Sequence, residues 1–236
     1  MGNVFFGGGK VGMKKPAAGI PLSDLLEGQI VMINENGTPV PFYLAKHDYE
    51  SGLNGTGRTL LVRKDCYDSR IIMDTNYGSG GALYTQSPLD AWANSDYKSL
   101  FDPAVQEAMG TTKFYYLTSR TSTPSTGTLE RSVFILSSVE LNLAAGYASA
   151  EGSILPIADT LKIAYLNGAA TTQLTRTISV ITANAFIGIT ASGGKTNVGA
   201  NSKAGSRPCF TLPSTMLVGA TPNADGSVNL LVQEVT

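Results

Sequence analysis

The sequence predicts an α+β fold: a single domain of antiparallel strands and short helices, carried behind an extended N-terminal arm. Three observations lead there. Short runs rich in Val, Ile, Leu, Phe and Tyr recur between Gly/Asn-containing turns, which is the strand signal. The helical stretches are punctuated at both ends and stay short. Strands and helices do not alternate as in a doubly wound parallel sheet, and no internal repeat of fixed period is visible.

The arm is Met1–Gly28 and the domain is 29–236. Gly7-Gly8-Gly9 and Pro16-Ala17-Ala18-Gly19 oppose helix and strand alike. Only Pro21–Glu27 has the composition of a helical turn, with Ser23 as candidate N-cap. Two readings of the arm stand side by side. It is a tail without enough apolar area to offset the entropy of ordering, or it orders on a neighbouring subunit with Val4, Phe5 and Phe6 as the apolar anchor.

From Gln29 the pattern changes. Gln29–Ile33 and Val40–Lys46 read as a hairpin about Asn34-Glu35-Asn36-Gly37, and Arg58–Arg63 as a further strand. Ser87-Pro88-Leu89-Asp90 offers an N-cap, a first-turn proline and an acidic third residue, with Leu89, Trp92, Ala93, Tyr97 and Leu100 on one helical face behind it. Asp102-Pro103 opens a second helix that Gly110 closes. Ser137 with Glu140 opens a third, ending near Gly146, and a fourth is predicted from Pro156 to Leu166. Lys113–Leu117 and Arg131–Leu136 read as strands, as do Gln173–Ile178, Ala185–Thr190 and Arg207–Leu212. A C-terminal hairpin is expected from Met216–Val218 and Val228–Val235, turning at Ala224-Asp225-Gly226.

Composition narrows the function classes. There are 17 basic and 18 acidic residues, a formal net charge of −1, and charged residues make up only 15% of the chain. Nucleic acids and anionic membranes are held by a basic face, so neither is an expected partner. Membrane insertion is not expected either, since no apolar run reaches the roughly 18–20 residues that span a bilayer. Met1–Lys15 has lysines but no apolar stretch behind them, so no signal peptide is read and synthesis in the cytoplasm is expected.

The residues that carry chemistry elsewhere are sparse. His47 is the sole histidine, and without a Gly-x-Ser-x-Gly elbow it reads as structural. One His and two distant cysteines, Cys66 and Cys209, make no zinc site. The two thiols read as small core residues, with a pairing between them left open. Asp65, Asp68, Asp74 and Asn76 form the densest acidic stretch and have the oxygens to hold Ca²⁺, or simply pair with Arg63 and Arg70. Gly7-Gly8-Gly9-Lys10 lacks the Walker spacing. No pair of carboxylates is singled out for glycosidase chemistry. Neither a catalytic residue nor a cofactor is therefore expected.

Several segments together resemble a known family: Val40–Tyr49, Thr59–Asp65, Leu89-Asp90-Ala91-Trp92, Leu129–Phe134, Thr175-Arg176 and Gly205–Pro213. The family is an uncharacterised domain of phages, prophages and gut-dwelling Firmicutes, similar to the C-type-lectin-like folds of formylglycine-generating enzymes and phage tropism determinants. The resemblance implies a C-type-lectin-like domain with ligand contacts just before the closing Arg207-Pro208 strand, within Thr182–Lys203. Asn184, Phe186, Lys195, Asn197 and Asn201 are the candidate ligand-binding residues there; the alternative is an ordinary Gly-rich connection. The catalytic cysteines of formylglycine-generating enzymes have no counterpart in Cys66 or Cys209. Arg207 is expected as a buried ion-pair anchor to Asp90 or Glu130.

The expectation drawn from all this is a structural or display protein of a tailed-phage virion: a tail fibre, tail tip or head decoration. Its arm would dock on other virion subunits, a homotrimer would suit such sites, and its outer face would meet a host-surface glycan or protein. The rival is a purely architectural capsid or baseplate subunit. The third reading is an enzyme, either a glycan hydrolase or a formylglycine-type oxidase, for which no catalytic residues stand out in the sequence.

Overall fold

The computed structural model describes residues 19–70, 83–143, 148, 150–182 and 184–232. Along the chain, β1 (Gly19–Pro21) leads through a 3₁₀ turn into β2 (Ile30–Glu35) and β3 (Thr38–Lys46). Then come α1 (Ser51–Asn54), β4 (Arg58–Arg63) and β5 (Asp68–Arg70). The helical part is α2 (Pro88–Trp92), continued by a π turn and a 3₁₀ turn to Leu100, and α3 (Pro103–Met109). A hairpin of β6 (Thr112–Leu117) and β7 (Thr126–Arg131) precedes β8 (Val133–Phe134). After α4 (Ala158–Leu161) follow β9 (Ala164–Leu166), β10 (Ala169–Thr171), β11 (Gln173–Ile178), β12 (Ala185–Ile189) and β13 (Lys195–Gly199). The chain closes with β14 (Ala204–Ser206), β15 (Cys209–Pro213), β16 (Leu217–Gly219) and β17 (Val228–Asn229).

The fold is mostly β, with a few short helices. A six-stranded sheet runs β17-β2-β3-β4-β15-β8 and a five-stranded sheet runs β13-β12-β11-β14-β5. Pairing is antiparallel except for β17 on β2 and β14 on β11. Among the described residues no helix is long and apolar enough to cross a membrane.

The six-stranded sheet carries the core. Its inner strand β4 reads Arg-Thr-Leu-Leu-Val-Arg, and Leu60, Leu61 and Val62 are all fully buried. A continuous apolar run of that length, rather than an alternating one, belongs to a strand covered on both faces. Phe42 of β3 packs against Phe210 of β15 at 5.3 Å between ring centroids, and Phe101 packs on Phe210 at 5.2 Å. Trp92, Tyr97 and Phe101 continue this aromatic row into the helical segment.

Local rules explain the element ends. Ser87 Oγ accepts from the Asp90 N–H at 2.9 Å, so the predicted cap forms. Asp90 does not return the favour to Ser87; its carboxylate pairs with Arg131 at 2.8 Å. Helix α3 is finished by Arg58, which donates to the carbonyls of Ala108 (3.0 Å) and Met109 and to that of Thr211 (2.9 Å). Those final helical carbonyls lack intrahelical partners, and a guanidinium fork satisfies them. The β2–β3 hairpin turns on Asn36 and Gly37, both with positive φ (49° and 74°), the two-residue turn whose twist matches paired strands.

Several expectations are corrected. The structure assigns no helix to 137–143, and residues 144–147, including Gly146, lie outside the described ones. Ser137 and Glu140 do exchange the two capping-box bonds (2.7 and 3.2 Å), but around a single turn, because Glu140 is claimed by a buried arginine. The predicted fourth helix is one turn only, and Tyr165 and Leu166 belong to strand β9. Asn167-Gly168 is not a helix stop but the turn joining β9 to β10, with φ of 52° and 80°. The C-terminal hairpin shrinks to one antiparallel bridge, Val218 to Leu230, because β17 pairs instead with β2. Residues 233–236 lie outside the described part.

Residues 19–28, grouped with the arm by composition, pack on the domain: β1 pairs with β16, and Leu22 and Leu25 are in the core. Val4, Phe5 and Phe6 lie outside the described residues. Arg207 is buried as expected, but it bonds the carbonyls of Arg63 (2.7 Å) and Leu161 (2.5 Å), whereas Asp90 and Glu130 pair with Arg131 and Lys113.

At Gly37 an added Cβ would meet nothing within 4 Å, so Gly37→Ala costs only the left-handed backbone penalty. The expected loss is about 1 kcal/mol in urea unfolding, with the denaturant slope unchanged.

Candidate functional site

Side chains of the five-stranded sheet reach solvent only at its edges. Every residue of β11, β12 and β14 is buried. Edge strand β13 alternates exposed and covered positions, and β5 at the other end is only partly buried. Any ligand met by this sheet is therefore met at β13 or at β5.

Four of the five predicted contact residues gather along β13. Lys195 and Asn197 are exposed and two residues apart, so they point to one side. They are registered with Ile189 and Ile187 of β12. Asn184 and Asn201, both exposed, flank the far end, where the Asn184 carbonyl accepts from the Ala200 N–H at 2.7 Å. Asn184 holds φ of 52°, a left-handed value that asparagine tolerates. The result is a strip of one ammonium and three carboxamides, able to donate and accept hydrogen bonds but poor in charge.

Phe186 is not part of it. Its side chain is fully buried under the Arg120 guanidinium, 5.1 Å from the ring centroid, while Arg120 donates to the carbonyls of Ser179 and Ala185. The all-buried strand Ala185–Ile189 gives no alternation from which its direction could be read.

The other candidates resolve into structural roles. His47 Nε2 lies 2.9 Å from the Leu25 carbonyl, which can only accept, and Nδ1 lies 3.1 Å from Thr59 Oγ1. Cys66 and Cys209 are both free and buried. Burial pushes the Cys66 thiol up to about 11 and raises Cys209 as well, the opposite of a reactive thiolate. Asp65 accepts from the Tyr165 N–H, Asp68 holds Ser206 and Arg70, and Arg63 turns to Glu35. Asp74 and Asn76 lie outside the described residues. Among the described residues no group of three or more His, Cys, Asp or Glu could hold a metal ion.

The most concentrated polar chemistry is buried. Arg176 of β11 is fully enclosed and pairs with Glu140 at 2.8 Å, with Glu151 at 3.9 Å, and with the carbonyls of Tyr115 and Ile135 at 2.9 Å each. Its guanidinium lies over the Phe114 ring at 4.7 Å. Tyr49 donates to Glu140, and Thr177 donates to Glu151 at 2.5 Å. Sequence reasoning noticed Ser137-x-x-Glu140 only as a helix start, and Arg176 only through the resemblance.

Two carboxylates facing one guanidinium leave an excess negative charge in the interior. Burial drives the Glu151 carboxyl up to about 7, against the pull of Arg176 and the Thr177 hydroxyl. Burial, reinforced by Glu140, likewise keeps the Tyr49 phenol protonated.

Between about pH 4.5 and pH 7 the folded chain retains a Glu151 proton that the unfolded chain releases. This contribution is complete below about 4.5 and lost as pH rises through about 7, worth on the order of 3 kcal/mol over that window. Denaturant titrations from pH 4.5 to 8 should show it. Glu151→Gln removes this slope, while a slope that survives the substitution has another origin.

Residues 56–214 match the family model described as Domain of unknown function (DUF6273). No curated protein and no solved structure matches the chain.

Proposed function

We propose that this chain, which belongs to the DUF6273 family, is a non-enzymatic display module of a tailed-phage virion with a C-type-lectin-like domain. The observation that carries the reading is the β13 strip: Lys195 and Asn197, flanked by Asn184 and Asn201, all exposed at one edge of a sheet whose inner strands are buried. Carboxamides and one ammonium suit hydroxyl-rich, weakly charged partners such as host-surface glycans, which are recognised by paired donors and acceptors.

Two further features support it. The resemblance places ligand contacts in the same stretch, Thr182–Lys203. The carboxylates of the interior network are fully buried beside Arg176, away from any substrate. In this reading the segment containing Val4, Phe5 and Phe6 attaches the domain to other virion subunits, in a homotrimer.

Glycan arrays and host-cell adsorption test it, with polysaccharide turnover as a control. Lys195→Ala/Asn197→Ala should lower binding about tenfold, the worth of one to two hydrogen bonds, at unchanged Tm. Binding that survives the double substitution removes the strip from the reading. A particle protein that binds no surface at all is architectural, and turnover would make it an enzyme.

A further inference from the structure

The opposite edge of the same sheet holds a second, chemically different feature. Asp68, Ser69, Arg70, Pro88, Leu89 and Lys203 line a cleft of about 260 Å³. Arg70 sits with its guanidinium 3.7 Å from the centroid of the Trp92 ring. Its Nε is 2.7 Å from Asp68 Oδ2, and Asp68 Oδ1 in turn accepts from Ser206 Oγ at 2.5 Å. The guanidinium is thus held by a ring beneath it and by an ion pair to Asp68 that makes no hydrogen bond to Nε. Among the described residues none accepts a hydrogen bond from its two terminal nitrogens. Lys203, exposed on the loop between β13 and β14, adds a second cation and pairs with no described carboxylate.

The charge balance of the cleft selects the ligand. Among the described residues two cations face one carboxylate whose oxygens are both engaged, leaving one positive charge uncompensated there. A pre-oriented pair of guanidinium N–H groups matches the two oxygens of a carboxylate. The exposed Ser69 hydroxyl can exchange hydrogen bonds with a ligand hydroxyl. Pro88, also exposed, gives an apolar wall to a ring face. The volume lies below the range typical of drug-sized ligands and suits a single ring.

We propose that this cleft binds a carboxylate-bearing sugar residue, with the carboxylate on Arg70 and Lys203 and a ring hydroxyl on Ser69. The site is separate from the β13 strip and does not depend on the display reading. Trp92 is the chain's only tryptophan, so its fluorescence reports directly on the Arg70 side of the cleft.

The test titrates the full chain with glucuronate, glucose and inorganic phosphate, following Trp92 emission and the heat of binding. Glucuronate should saturate both signals and glucose neither. Lys203→Ala, at a position with no ion-pair partner among the described residues, should weaken glucuronate about tenfold through loss of one charged contact. Arg70→Gln should abolish binding, and Lys195→Ala/Asn197→Ala should leave it unchanged. The proposal is overturned by equal binding of glucose, by phosphate binding as tightly as glucuronate, by indifference to Lys203→Ala, or by silence in both signals.

Discussion

Arg176 puts a full charge at the centre of the molecule, where its solvation is lost and only direct partners can replace it. Those partners and Arg176 itself come from three separate parts of the chain. Glu140 and the Ile135 carbonyl follow β8 of the six-stranded sheet, the Tyr115 carbonyl belongs to the β6–β7 hairpin, and Arg176 itself lies in the five-stranded sheet. The guanidinium is therefore the point at which three sheets are tied together. A buried ion pair of this kind adds little to net stability compared with a well-packed apolar core, but removing one partner leaves an uncompensated charge. The geometry of the interior is set by that asymmetry.

The same use of arginine recurs through the chain. Arg58 ends α3, Arg63 holds Glu35, Arg120 covers Phe186, Arg131 holds Asp90, and Arg207 joins β4 to α4. Each is a planar fork bonded to carbonyls or carboxylates, which a lysine could not satisfy in the same way. A chain with few charges thus commits many of its cations to internal cross-links. The recognition chemistry we propose accordingly lies at the sheet edges rather than on a charged face.

Much of the fold was legible in local chemistry. Asn36-Gly37 turned where two positive φ values were needed, Arg58–Arg63 was a strand around its apolar Leu60-Leu61-Val62 centre, and Ser87-Pro88 opened a helix. The failures share one cause. Ser137-x-x-Glu140 obeys the capping rule, yet Glu140 answers to Arg176, some 36 residues away in sequence. Asn167-Gly168 ends a helix or turns a hairpin with equal propriety, and only the pairing of β9 with β10 decides. The candidate site was half readable: polar residues near the end of the domain were visible, but the burial of Phe186 and the meeting of Arg70, Trp92 and Lys203 are products of tertiary packing.

The claim that Arg176 ties three sheets together is tested most directly by native-state hydrogen exchange on Arg176→Met. Leaving Glu140 buried without its partner should cost about 3–5 kcal/mol. Protection should fall together across 112–117, 133–136 and 173–178, with the β2–β3 hairpin least affected. Loss confined to the immediate neighbours of residue 176 would contradict the account.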